Sequence, residues 1–144
     1  MALQIYLSAD PDAALSVESA FTNPLTLTFD GVNGGVIEKR LYLRNNDALL
    51  VFTDISIEPF NDGDTIIQVD GSGGYSWKLS AGDQRPLNEQ WELITAGESI
   101  DLDDISDTTT YLPFWVRVEI PAGAPVMSSQ KISLRIHATE SAAP

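Results

Sequence analysis

One histidine and no cysteine leave this 144-residue chain few routes to chemistry. Without cysteine there are no disulfide scaffolds, thiolate zinc sites, iron–sulfur ligation or cysteine catalysis. Zinc and copper centres draw on several His or Cys ligands, so His137 alone founds neither. A catalytic triad around His137 would need a nucleophile and a carboxylate delivered by distant segments. An exposed histidine on the polar face of a strand is the simpler account.

Carboxylates are abundant, with 21 Asp and Glu in all. Glycosidases need two acids flanking a sugar, one with a raised pKa. With so many acids a close pair arises by chance, and no aromatic cluster adjoins one along the sequence. Asp101, Asp103 and Asp104, like Asn61, Asp62 and Asp64, offer the hard oxygen donors calcium takes. Neither run has the EF-hand spacing, and Asp and Asn are also ordinary β-turn residues. The run from Asp70 to Gly74 lacks the Gly-Lys-Ser/Thr ending of a phosphate loop and reads as a hairpin tip. Trp77, Trp91 and Trp115 are candidates for a sugar-stacking face, and Trp115 stands out because alternation aims it opposite Phe114 and Val116. An outward Trp of this kind covers an edge or enters a protein contact. No cofactor is expected.

These side chains must be positioned by strands. In residues 114–120, Phe114, Val116, Val118 and Ile120 alternate with Trp115, Arg117 and Glu119. In residues 131–138, Ile132, Leu134, Ile136 and Ala138 oppose Lys131, Ser133, Arg135 and His137. Leu25, Leu27 and Phe29 share a face, as do Tyr75, Trp77 and Leu79, and the inward set of residues 49–57 is Val51, Ile55 and Ile57. Period-two alternation marks strands with one wet face, the habit of antiparallel sheets. Further strands are expected at 3–7, 36–44, 65–69 and 98–102, separated by turns rich in Gly, Asn and Asp. Pro86, Leu87 and Trp91 are spaced for one short helix over 86–93, with Trp91 plugging an open end of the sandwich. The expectation is an all-β, immunoglobulin-like antiparallel β-sandwich of about eight or nine strands with one short helix.

The length suits a single domain, residues 1–144, with an N-terminal strand and arm (1–23) and a C-terminal tail (139–144) that frays. The N-terminus has no basic n-region and reads as a strand, not a signal peptide. No run approaches the ~20 apolar residues of a membrane helix. Formal charge is −13, and it is unevenly spread. Between Asn45 and Thr110 fourteen acids face only Lys78 and Arg85, while the rest of the chain is nearly neutral. Phosphate neutralisation needs clustered cations, so nucleic acid and anionic membrane are disfavoured as partners. The acidic stretch serves as a solvating surface.

Residues 25–35, 39–45, 75–82 and 86–91, and 107–118 with Pro121 to Gly123, resemble a module of tailed-bacteriophage virion proteins. The resemblance spans about residues 25–140 and rests on strands and turns, not on a catalytic motif. It implies an immunoglobulin-like sandwich in a capsid decoration (cement) protein, or in a tail, neck or baseplate component. It also implies a virion location, with the major capsid protein or other virion proteins as partners and a homo-oligomer on the particle. The expected partner-binding residues are Trp115, Arg117, Lys131 and Arg135, carried by the less acidic parts of the chain. A carbohydrate- or cell-surface-binding module, calcium-dependent through Asp101, Asp103 and Asp104, is the reading from a different class. No enzymatic activity is expected.

Overall fold

The computed structural model describes residues 3–8, 32–61, 72–87, 91–93, 99–123 and 132–144. Eight strands lie among them: β1 (Leu3–Tyr6), β2 (Gly35–Asn45), β3 (Leu50–Asn61), β4 (Ser76–Ala81), β5 (Glu92–Leu93), β6 (Ile100–Leu102), β7 (Leu112–Ile120) and β8 (Ile132–Ala142). They form a five-stranded sheet, β1-β2-β7-β4-β5, and a three-stranded sheet, β6-β3-β8. Every pairing is antiparallel. The described chain is an all-β antiparallel sandwich, as the alternation predicts.

One core joins the two sheets. Leu41, Leu43, Leu79, Phe114 and Val116 of the larger sheet pack with Ile55, Ile57 and Ile100 of the smaller, and with Ile105 beyond it. Phe114 has no exposed surface. Burying a side chain of this kind stabilises the fold by roughly 1.5–3 kcal/mol relative to exposing it. Because even positions of β7 take the core, Trp115, Arg117 and Glu119 are left on the outer face.

β3 departs from simple alternation. Phe52, not Val51, enters the core, followed by Ile55 and Ile57. The register runs Thr53↔Thr139 and then Ser56↔His137, so Asp54 and Ile55 oppose Ala138 alone. This bulge switches the parity of the inward residues. Asp54 takes a left-handed backbone, φ 52°, which its short polar side chain tolerates better than a branched one. Two backbone hydrogen bonds of 2.9 Å between Phe52 and Ile105 then tie the start of β3 to the segment after β6.

Two expectations at segment ends are corrected. Glu92 and Leu93 are not helical but pair with Leu79 and Lys78 as β5; residues 88–90 lie outside the described set. Isolated helices this short are marginal, whereas extended backbone here satisfies the edge of β4. The expected fraying of 139–144 is not seen either: β8 continues to Ala142, opposite Leu50, and Ala143 N–H donates to Leu49 O at 2.8 Å. β3 begins early enough to offer that tail a template. The strands expected at 25–29 and 65–69, and arm residues 9–23, lie outside the described residues.

Candidate docking surface

The β2–β7–β4 register sets the outer face of the larger sheet in rows. Val36, Glu119 and Ser76 form one row, Glu38, Arg117 and Lys78 the next, and Arg40, Trp115 and Ser80 a third. Arg117 is the hub. Its Nε donates to Glu119 at 2.8 Å and its Nη1 to Glu38 at 3.2 Å. Arg85, from the loop after β4, grips both oxygens of Glu38 at 2.8 and 2.9 Å, the two-pronged geometry guanidinium favours. Lys78 reaches Glu119 at 3.5 Å. Burial alone would raise the Glu119 carboxyl, but the Arg117 hydrogen bond and the Lys78 and Arg117 charges outweigh it and hold the group below its ordinary value.

Aromatic rings extend this layer. Trp91 meets Trp115 edge-on, with centroids 6.5 Å apart, and the Arg117 guanidinium lies 5.9 Å from the Trp91 ring. Trp91 therefore covers the outside of the larger sheet instead of plugging the sandwich end. Trp115 Nε1 donates to Asp83 O at 3.1 Å, and Arg40 pairs with the Asp83 carboxylate at 3.1 Å. Further along, Tyr111 packs edge-on against Tyr6 and Tyr42. Arg44 sits 5.0 Å from the Tyr111 ring, donating to Tyr111 Oη at 2.9 Å and to Thr108 O at 2.8 Å. These partners of Arg44 are neutral, so its charge is uncompensated by any carboxylate in these contacts.

Charge separates between the two faces. Among the described residues, Arg40, Arg44, Lys78, Arg85 and Arg117 outnumber Glu38, Asp83 and Glu119 on or beside the larger sheet's outer face, in a chain of net −13. The smaller sheet carries Asp54, Glu58 and Asp101 outward, against Arg135 and His137.

Of the residues expected to bind a partner, Trp115 and Arg117 share the larger sheet's outer face. Arg135 lies on the opposite sheet, its guanidinium 3.4 Å over Phe60. Lys131 lies outside the described residues. The structure thus divides these residues between two faces. Asp101, on β6, points outward opposite Ser56, and Asp103 and Asp104 follow it, exposed. Among the described residues no three His, Asp or Glu side chains converge on a cation position. His137 does meet a carboxylate, Glu58 Oε1 at 2.8 Å from Nε2, and it lies opposite Ser56 in the register. This contact sits on an open sheet face, where it fastens β8 to β3.

The sequence reading missed Glu38, Tyr42, Arg44, Arg85 and Tyr111. For the β2 residues the signal was there, since alternation puts Glu38, Arg40, Tyr42 and Arg44 on one side of a strand. Arg85 and Tyr111 become neighbours only through long-range register.

Compared with known proteins, the chain matched no family model, no curated protein and no solved structure. Its class is therefore set by its own geometry, an antiparallel β-sandwich in which the described residues give one cationic, aromatic-braced face and one acidic face.

Proposed function

We propose that this chain is a non-enzymatic structural protein of a tailed-phage particle, a capsid decoration protein that binds and stabilises the coat lattice. It docks through the outer face of the larger sheet. The observation that carries this reading is the excess of cations among the described residues of that face, in a strongly acidic chain, held in place by Arg117–Glu38–Arg85 and the Trp91–Trp115 pair. Groups fixed before binding lose little side-chain freedom on docking. The acidic opposite face then points outward and resists non-specific association. Immunoglobulin-like architecture and a virion location follow from the resemblance and are part of the proposal.

Edge-on rings suit this role better than sugar stacking, because Trp115 is engaged through both its ring and its Nε1. The test adds purified protein to undecorated coat shells. Stoichiometric, salt-sensitive binding with a raised temperature of shell rupture is expected. No binding, or an unchanged rupture temperature, rejects the proposal. Binding confined to tails or necks assigns the chain to those parts instead.

A further inference from the structure

Among the described residues the four sheet edges are treated unequally. β1, β5 and β6, the edges on which four, two and three residues pair, are short. Short edges offer little template for another chain. β8 is an edge of eleven residues, paired only with β3 among the described residues. It contains neither proline nor lysine, two of the usual means of blunting an edge. Its inward residues Leu134, Ile136 and Ala138 touch the core yet remain only half-buried, so among the described residues nothing closes the sandwich along this margin.

We infer that β8 pairs antiparallel with β8 of a second copy of this chain, about a two-fold axis at Ile136. Three features of the strand select this occupant and this register. A two-fold axis perpendicular to the sheet keeps each residue's face, so only residues of like parity pair. Centring on Ile136 sets Ile136 against itself and Leu134 against Ala138, which continues the inward apolar row across both molecules. Centring on His137 sets Leu134 against Glu140, and centring on Ala138 sets Ile136 against Glu140. In the chosen register Glu140 meets only Ile132, at the very end of the ladder, whereas centring on Arg135 would set that cation against itself. β8 itself carries only Arg135 and Glu140 as full charges, and these cancel, so pairing along it brings no net charge of the strand against its copy. Closure about a two-fold axis also consumes the edge and stops further growth.

The arrangement has a consequence for attachment. A two-fold axis perpendicular to the joined sheet leaves both larger sheets on the same side. Two copies of the Arg44–Trp115–Arg117 face then point in one direction, as a lattice-binding dimer requires, and avidity follows. The pairing itself does not depend on the docking proposal.

Sedimentation of the full chain over micromolar to millimolar concentration tests it without any shell. The expected species has twice the 15.6 kDa chain mass. Ala138→Lys, an inward charge at the edge, weakens the dimer at least tenfold, while Thr139→Lys on the other side of the strand weakens it less. Circular dichroism establishes that each variant is folded. The native chain has no cysteine, so mixing Arg135→Cys with Tag-distinguishable His137→Cys chains reports register cleanly. A mixed disulfide forms in preference to either homodimer, since directly opposed residues meet disulfide spacing. A monomer at millimolar concentration, a folded Ala138→Lys variant that dimerises as tightly as the native chain, or preferential homodimer cross-linking overturns the inference.

Discussion

Arg117→Ala removes the hub of the outer layer, and its cost can be worked from the contacts. The guanidinium is about one-fifth exposed, as is Glu38, and Glu119 slightly more so. Each ion pair, discounted for solvent screening, is worth about 0.5–1 kcal/mol. The position over Trp91 adds about 0.5–1 kcal/mol. Together these give a loss of about 2 kcal/mol, or a fall in Tm of about 4–8 °C for a chain of this size. The loss also carries a pH signature. Glu119 titrates below its ordinary value of 4.5 in the native protein, held there against the opposing effect of burial by Arg117 and Lys78. A depressed carboxylate contributes stability that is whole above its unfolded value and drains away as pH falls toward the native one. The difference between native and Arg117→Ala protein is therefore constant near neutrality and narrows below a pH of about 4. Urea unfolding at a series of pH values measures it, with Arg117→Lys as a variant that keeps charge but loses the fork. A loss under about 0.5 kcal/mol, or a difference that widens in acid, refutes the reasoning.

Other substitutions probe separate levels of the structure. Phe114→Ala empties the centre of the core and costs about 3–5 kcal/mol by calorimetry; a loss below about 1 kcal/mol would contradict the packing. Gly34→Ala places a Cβ 2.7–2.8 Å from backbone atoms of Ile120 to Ala122 at φ +74°. Backbone cannot swing aside as a side chain can, so the variant unfolds at markedly lower urea, by more than the ~1–2 kcal/mol of the left-handed conformation alone. Trp115→Phe keeps an edge-on ring beside Trp91 but loses the bond to Asp83 O, costing about 1 kcal/mol; unchanged stability would show that bond to be idle. Arg44→Glu, which reverses the charge with neutral partners, weakens shell binding at least tenfold while leaving the sandwich folded; equal binding by both proteins removes Arg44 from the docking face.

The strand pattern was the legible part of this fold. β7 and the first half of β8 alternate without interruption, so Phe114, Val116 and Val118 could be assigned to the core and Trp115 and Arg117 to the surface. β3 misled by one position, because the bulge at Asp54 is set by its pairing with β8 and β6 and leaves no local mark. Pro86, Leu87 and Trp91 have helical spacing, yet Glu92 and Leu93 are claimed by the edge of β4, a tertiary pairing that local propensity does not contain. The outer network was half legible. Glu38, Arg40, Tyr42 and Arg44 share a face of one strand, but which residues of β4 and β7 they meet depends on register.

Electron cryo-microscopy of undecorated coat shells incubated with this protein tests the docking face most directly. Sandwiches seated with Trp115, Arg117 and Arg44 against the coat and Asp54, Glu58 and Asp101 turned outward are expected. Shells without added density, or sandwiches seated on the acidic sheet, would contradict it.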